Sequence, residues 1–109
     1  MIRNYEKNAF WTVYEIENSE NGKCYIGITK KTIEQRLWEH IRDSKSDSFY
    51  ALHSAIRKYG PEKFEIRTLE EVETLSEAQD LECVYIEEWG TYSNSSPGGY
   101  NMSYGGEAP

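Results

Sequence analysis

Cysteine and histidine are scarce in this chain, with two of each among its 109 residues. Cys24 and Cys83 do not form a CxxC pair, and a zinc site with about four ligands would have to recruit both histidines as well. We therefore expect two buried thiols rather than a metal cluster. The sequence also has no GxSxG, HExxH or P-loop motif, so a serine hydrolase, a zinc protease or a nucleoside triphosphatase would lack its essential residues.

Long apolar segments are absent as well. No stretch approaches the roughly 18 apolar residues that span a membrane. The opening MIRNYEKNAF lacks the apolar region of a signal peptide. These absences predict a protein with no membrane partner that works inside the cell, in the cytoplasm or, for a phage or viral protein, in the host cell.

Basic charge is in short supply, because the chain carries a net charge of -7. The charge is unevenly distributed, however. Residues 23–67 hold ten Lys or Arg against six acidic residues, whereas residues 68–109 hold nine acidic residues and no Lys or Arg. Only the middle of the chain can therefore present a phosphate-facing surface without help from a metal ion. Because nonspecific affinity grows with the number of phosphates neutralised, we expect weak nucleic-acid binding by this chain alone.

Aromatic residues, by contrast, are plentiful, and many of them fall in strand patterns. Aromatic and β-branched residues predict a strand over 10–17. Asn21-Gly22 is a strong hairpin signal, and a returning strand is predicted over 23–29. If Asn21-Gly22 is a two-residue turn, Ile16 pairs with Gly27, and Tyr14 and Tyr25 project from the same face. Alternation over 63–69 predicts a third strand.

Three helices are predicted, over 33–43, over 49–59 and over a segment that ends at Glu88 or Trp89. The order β-β-α-α-β-α, followed by a C-terminal tail, predicts one small α+β domain over 1–109 with a core of about 10–106. In this fold, helices flank a three-stranded antiparallel sheet. The tail reads as loop, although residues 100–102 could be pinned to the core. The expected helix N-caps are Thr32 with Gln35 for the first helix, Asp47 or Ser48 for the second, and Ser76 with Gln79 for the third.

Residues able to carry chemistry are scattered over these elements. Arg36 and His40 share a helical face, where a guanidinium beside an imidazole suits a phosphate. Glu82 lies within an apolar helical pattern, and a carboxylate there is costly unless it is paired or bound to a metal such as Mg²⁺. Periodicity alone more often has simpler explanations. Arg36 and His40 would lie on a solvated helix face, and Glu82 would be a salt-bridged helix acid. Tyr14 and Tyr25 would be half-buried strand aromatics. Composition and spacing alone therefore do not indicate an enzyme.

An ordered set of motifs is more specific. It comprises Thr12-Val13-Tyr14, Tyr25-Ile26-Gly27, Arg36, His40, His53 before Lys58-Tyr59-Gly60, Glu82 four residues before Ile86, and Gly99-Tyr100-Asn101. With this set, the chain resembles the GIY-YIG nuclease family, especially the catalytic domains of phage and intron homing endonucleases. The match covers about residues 10–106. The match departs from the family at Thr12, where the family has glycine. Glycine carries no reactive group, so this difference bears on the local backbone geometry more than on the chemistry.

The resemblance implies a metal-dependent endonuclease that hydrolyses phosphodiester bonds in DNA with Mg²⁺ (or Mn²⁺). Tyr14 would be the general base, a role that requires its pKa to fall below the usual value of about 10; the metal, Arg36 or His40 could lower it. Arg36 would stabilise charge on the phosphate, and Tyr25 and His40 would position water and phosphate. The catalytic residues carried over are Tyr14, Tyr25, Arg36, His40 and Glu82, with Glu82 also the metal ligand, while His53 and Asn101 are carried over as substrate-binding or orienting residues.

Two other interpretations stay open. One is a noncatalytic GIY-YIG-like module that binds nucleic acid or protein, and the other is a nuclease of the repair or restriction type. The acidic charge and the lack of a recognisable DNA-reading helix or zinc finger predict poor targeting. We therefore expect a DNA-targeting domain or partner outside this chain.

Overall fold

The computed structural model describes residues 9–94 and 98–105, and it contains a three-stranded antiparallel sheet in the order β2-β1-β3. The elements follow the chain in the order predicted from the sequence, which confirms the α+β class. Over the described residues, no helix is both long and apolar enough to cross a bilayer. The strands are β1 (Trp11–Asn18), β2 (Cys24–Thr29) and β3 (Phe64–Val72), and the α-helices are α1 (Ile33–Ser44), α2 (Ala51–Tyr59) and α3 (Leu75–Trp89), with a 3₁₀ turn at Pro61–Lys63.

The turn between β1 and β2 is longer than the sequence predicted. The Asn18 N–H donates to the Lys23 carbonyl at 2.9 Å, and the Gly22 N–H donates to the Asn18 carbonyl at 2.8 Å. The connection therefore comprises residues 19–22. A two-residue type I′ turn needs positive φ at both central positions, but Gly22 has a φ of 75° and no described non-glycine residue has a positive φ.

The longer turn changes the strand register. The predicted pairing of Ile16 with Gly27 was wrong, because Ile16 pairs with Tyr25 and Tyr14 pairs with Gly27. The error is a shift of two residues, which leaves every side chain on the same face of the sheet. Tyr14 and Tyr25 therefore still share a face, and their ring centroids lie 6.3 Å apart.

Two of the three predicted helix caps were wrong. Thr32 caps α1 as expected, accepting from the Gln35 N–H at 3.2 Å. In α3 the cap is Thr74 rather than Ser76, because the Thr74 hydroxyl accepts from the Glu77 N–H at 3.1 Å and donates to the Glu77 carboxylate at 2.9 Å. Helix α2 begins at residue 51, after a residue that makes no side-chain cap bond, so neither Asp47 nor Ser48 caps it.

Helices cover both faces of the sheet, so the central strand is buried on both sides. Alternate residues of β1 enter different cores, and residues 12–16 are each no more than 2% exposed. One core, against α1 and α2, consists of Tyr14, Ile16, Leu52, Ala55, Ile56, Phe64 and Tyr100. The other core, against α3, consists of Val13, Ile26, Ile28, Ala78 and Ile86.

The cysteines are free thiols, but the expectation that both are buried was wrong, since each is partly exposed. Cys24 lies on the edge strand β2, where its S–H donates to the Glu15 carboxylate at 2.8 Å. Burial, followed by this hydrogen bond, raises the pKa of the Cys24 thiol to about 12. Neither cysteine lies in a group of metal ligands among the described residues.

The tail packs along the outer edge of β2. The Asn101 side chain accepts from the Ile26 N–H and donates to the Ile26 carbonyl, each at 2.8 Å. The Tyr100 N–H donates to the Cys24 carbonyl at 2.9 Å. These bonds satisfy outward backbone groups that an edge strand would otherwise leave without partners. The sequence suggested that residues 100–102 could be pinned to the core; this holds for Tyr100 and Asn101, which are buried, and was wrong for Met102, which is 52% exposed.

Candidate active site

A cleft of about 230 Å³ opens where the helices, the first two strands and the tail meet. The structure brings together every residue that the sequence singled out for chemistry, from six separate segments of the chain. The assigned chemical roles of these residues stay predictions, but the spatial convergence that those roles require is present. The residues in question are Tyr14, Tyr25, Arg36, His40, His53, Glu82 and Asn101.

The two tyrosines fit together because the strand residue opposite Tyr14 is a glycine. A Cβ added to Gly27 would overlap the Cζ and hydroxyl oxygen of Tyr14 and would lie 2.9 Å from Cε2 of Tyr25. Gly27 is therefore needed for close packing, and its φ is not positive. Thr12, by contrast, lies in regular strand pairing with Thr29 and also has no positive φ. The departure from the family at Thr12 therefore leaves the backbone unstrained.

A series of hydrogen bonds runs from Tyr14 through two histidines that also line the cleft. The Tyr14 hydroxyl lies 3.0 Å from Nε2 of His40, and Nδ1 of His40 lies 3.0 Å from Nε2 of His53. Nδ1 of His53 then lies 2.8 Å from Oγ of Ser48. Sequence reasoning missed this role of Ser48, which it interpreted as a helix cap.

The two histidines in this series of hydrogen bonds are held neutral. Burial, followed by the nearby positive charge of Arg36, lowers the pKa of His40 to about 3. Burial also lowers the pKa of His53. Each neutral ring carries one N–H, so the hydrogen bonds can run in one continuous direction, with Tyr14 donating to His40, His40 to His53 and His53 to Ser48.

Tyr14 itself is far from ionised in the free protein. Burial, followed by the neighbouring Tyr25, raises the pKa of Tyr14 well above its ordinary value. The Arg36 guanidinium acts in the opposite direction but is outweighed. The lowered pKa that a general base requires is therefore not supplied by Arg36 or His40 alone, so proton removal from Tyr14 needs a further contribution.

Arg36 is held in place by a residue that sequence reasoning missed. Its Nη1 donates to Oε1 of Glu39 at 2.9 Å, and Glu39 also pairs with Lys31. Glu39 is only 7% exposed, so this ion pair restrains the guanidinium more than a surface pair would. The spacing of three residues between Arg36 and Glu39 was the available signal, since such residues are neighbours on a helix.

Glu82 has an environment that suits a divalent ion. Its residue is 8% exposed, and it lines the cleft from α3. The tail closes over it, because a Cβ added to Gly105 would lie 3.2 Å from Oε1 of Glu82. In the part of the chain that the structure describes, no three His, Cys, Asp or Glu residues cluster as metal ligands. The other carboxylate that lines the cleft, Asp43, is paired with Arg42. Glu82, beside space for waters and a phosphate, fits Mg²⁺, which keeps several waters in protein sites, better than it fits structural zinc.

Asn101 lines the cleft but has little hydrogen-bonding capacity left for a substrate. Besides the two bonds to Ile26, its Oδ1 accepts from the Thr91 hydroxyl at 2.8 Å. The residue is 6% exposed. Asn101 therefore orients the tail, whose next residues form one wall of the cleft.

This fold and this cleft define a nuclease-type catalytic domain, and comparison with known proteins supplies its family. The family model for the GIY-YIG catalytic domain matches residues 10–95, so the chain belongs to the GIY-YIG family. The resemblance inferred from the motifs is confirmed, and the domain is an endonuclease domain.

Two solved structures agree with this assignment. A mutant of the catalytic domain of the intron endonuclease I-TevI superposes with a TM-score of 0.75 at 25% identity, covering 91% of this chain and 99% of that one. A second structure, of the catalytic domain of the homing endonuclease I-TevI, gives a TM-score of 0.71 at 28% identity, covering 85% and 98%. The shared α+β fold thus extends over nearly the whole chain.

Two viral proteins are similar in sequence. Protein 019R of Invertebrate iridescent virus 6 is 37% identical over 81 residues, which are 72% of this chain and 29% of that protein. Protein 146R of the same virus, named for an MSV199 domain, is 33% identical over 81 residues, or 72% and 33% of the two chains. The similarity thus covers at most a third of the length of either viral protein.

Proposed function

We propose that this domain hydrolyses DNA with the help of a divalent metal ion, in the manner of a homing endonuclease. The observation that supports this best is the single cleft lined by Tyr14, Arg36 and Glu82 from three different elements. The three side chains bring a proton acceptor, a phosphate-binding cation and a metal-binding carboxylate to one place. The scissile phosphate enters this cleft.

Arg36 and Glu82 stabilise the reacting phosphate. The Arg36 guanidinium, fixed by Glu39, donates to the phosphate oxygens as negative charge develops on them. Glu82 would hold Mg²⁺ or Mn²⁺, which when bound would supply Lewis-acid stabilisation of the negative charge that develops in the reaction. Tyr25 narrows the cleft beside Tyr14 and helps to position the attacking water.

Tyr14 acts as the general base after it has lost its own proton along the hydrogen-bonded chain. His40 gains a proton at Nε2 and gives up the proton at Nδ1 to His53, so His40 stays neutral, as its depressed pKa requires. His53 takes up that proton at Nε2 and passes its Nδ1 proton to the hydroxyl of Ser48, which is partly exposed and releases its own proton to solvent. His53 therefore also stays neutral, as its lowered pKa requires. The phenolate of Tyr14 then accepts a proton from the water that attacks phosphorus, and the 3′ oxygen leaves.

Homing-type function is favoured over the alternatives because the similar solved structures are catalytic domains of an intron and homing endonuclease. Every position that would carry a functional group is filled, which argues against a noncatalytic module. The acidic last third of the chain and the greater length of the viral relatives support a role for a DNA-targeting domain or partner.

Incubation with supercoiled plasmid tests the proposal. We expect nicked and linear DNA with Mg²⁺ and intact plasmid with EDTA. If the plasmid stays intact with Mg²⁺ or Mn²⁺ while a mobility shift reports DNA binding, the noncatalytic interpretation is correct. Product mapping on intact, branched and damaged duplexes separates the homing type from the repair type, since cut positions set by the branch or lesion rather than by the DNA sequence would favour repair.

A further inference from the structure

Two exposed apolar side chains line the mouth of the cleft, and a third belongs to the residue next to one of them in sequence. Phe49 is 92% exposed, Tyr50 65% and Met102 52%. Tyr50 and Met102 line the cleft directly, and Phe49 adjoins Tyr50 in the loop between α1 and α2. The Ala51 N–H donates to Sδ of Met102 at 3.4 Å, which joins the loop to the tail. We refer to Phe49, Tyr50 and Met102 as the apolar rim.

The loop that carries the rim is held in one conformation. The Arg57 guanidinium donates to the carbonyls of Ser44 and Ser46 at 2.9 Å each and to that of Ser48 at 2.8 Å. On the other side, the Tyr50 ring packs against His53, with 5.4 Å between centroids and an interplanar angle of 85°. The two aromatic rings are therefore presented to solvent by a well-bonded loop. Exposed apolar side chains grouped beside a cleft are typical of a binding surface.

The surroundings of the rim favour nucleic acid as the occupant. Two of the three rim residues, Phe49 and Tyr50, lie in the basic middle third of the chain, and the Arg57 guanidinium donates to the carbonyl of the residue immediately before Phe49. A strand whose phosphate reaches Arg36 must place the attached nucleotides at the mouth of the cleft. Aromatic side chains stack on nucleobases irrespective of sequence, because every base has a π face.

We propose that the apolar rim stacks on nucleobases next to the scissile phosphate, and this rests on the proposed function. In an intact duplex those base faces are already stacked on their neighbours, so an aromatic ring reaches them only where a base step opens. The domain therefore cuts DNA with unpaired or unstacked bases at the cleavage site in preference to intact duplex.

Binding without metal tests the rim directly. Oligothymidine carrying one 2-aminopurine is titrated with protein in EDTA, and both affinity and fluorescence quenching are measured. Phe49→Ala and Tyr50→Ala should each weaken binding about five- to tenfold and reduce quenching. Tyr50→Phe keeps the ring and should stay within about twofold of wild type.

Trp38→Ala provides the matched control. Trp38 is 57% exposed and stacks on Arg42 with 5.1 Å between the guanidinium carbon and the ring centroid, but it does not line the cleft. Its removal should leave both affinity and quenching unchanged. Thermal melting checks that all the variants are folded, and substitution at so exposed a residue as Phe49 should not disturb the core.

A cleavage arm separates this inference from the proposed function. With Mg²⁺, wild type should cut a gapped duplex at least about tenfold faster than the intact duplex, and Phe49→Ala should reduce that preference. If wild type cleaves DNA but both alanine variants keep wild-type affinity, quenching and preference, the rim binds something else, such as a protein partner, and the inference is wrong. If wild type does not cleave at all, the proposed function fails, while the quenching measurement still decides whether the rim stacks on bases.

Discussion

Replacing Asn101 with alanine should destabilise the whole domain, although the residue lies in a tail without helix or strand. The Asn101 amide completes both outward backbone groups of Ile26 and accepts from Thr91. Ile26 is fully buried, so water cannot readily take over these bonds in the variant. The substitution therefore removes the partner of a buried donor and of a buried acceptor at once.

The size of the effect follows from these bonds. Each buried group left without a partner costs about 1–3 kcal/mol, so Asn101→Ala should lower the free energy of unfolding by roughly 2–5 kcal/mol. For a domain of this length, that loss corresponds to a fall in Tm of roughly 10–20 °C. Asn101→Asp should be comparably destabilising, because it loses the donor to the Ile26 carbonyl and buries a charge.

Urea unfolding followed by circular dichroism measures the loss. Asn94→Ala is the matched control, because Asn94 is an exposed asparagine of the same tail whose side chain donates only to the Tyr92 hydroxyl, at 3.2 Å. The control should stay within about 0.5 kcal/mol of wild type. A loss of less than about 0.5 kcal/mol for Asn101→Ala would refute the reasoning that the tail completes the edge of the sheet.

Two further predictions concern the cleft. Gly27→Ala should lower the free energy of unfolding by about 1–3 kcal/mol, because the new Cβ displaces the Tyr14 and Tyr25 rings. The same displacement should slow cleavage at least about tenfold. A wild-type cleavage rate under single turnover would contradict this prediction. The pKa of His40 is about 3 in the folded protein, against an ordinary value of 6.5 for the unfolded chain. As the pH falls, the unfolded chain therefore takes up a proton at His40 before the folded protein does. The free energy of unfolding should decline by about 2 kcal/mol from pH 7 to pH 5. Urea titrations at both pH values test this, His40→Asn should reduce the slope, and a slope equal to wild type in that variant would show that His40 does not cause it.

The helices and strands could be predicted because their sequence patterns are local, whereas the N-caps of α2 and α3 could not be predicted. Thr74 and Glu77, and Ser76 and Gln79, are overlapping capping patterns, and sequence alone does not rank them. The structure starts α3 at Leu75, whose side chain packs against the core between α3 and the sheet. The packing of Leu75 against that core is a tertiary contact, which the capping patterns do not report.

The candidate site was predictable through its motifs, but the residues that support it were not. Ser48 lies in the loop between α1 and α2, whose conformation depends on Arg57, and His53 lies in α2, so no periodicity brings them together. Glu39 had a recognisable spacing from Arg36, but a pair at that spacing is more often exposed. Contacts between segments decide each of these cases.

The raised pKa of Tyr14 also depends on parts of the fold that are distant from Tyr14 in sequence. An alternating strand is usually half-buried, and Tyr14 was expected to be so. The sheet order places β1 between β2 and β3, with helices over both faces, and Tyr14 is 1% exposed. This burial raises its pKa and makes a route for its proton necessary.

The most direct test of metal-dependent catalysis in this cleft is a comparison of two acidic residues on the same helix. Single-turnover plasmid nicking with Mg²⁺ is measured for Glu82→Ala and for Glu88→Ala, whose native side chain is exposed outside the cleft. We predict a loss of at least about 100-fold for Glu82→Ala with the fold retained, and a wild-type rate for Glu88→Ala. Nicking by folded Glu82→Ala at a rate close to that of Glu88→Ala would contradict the proposed role of the cleft.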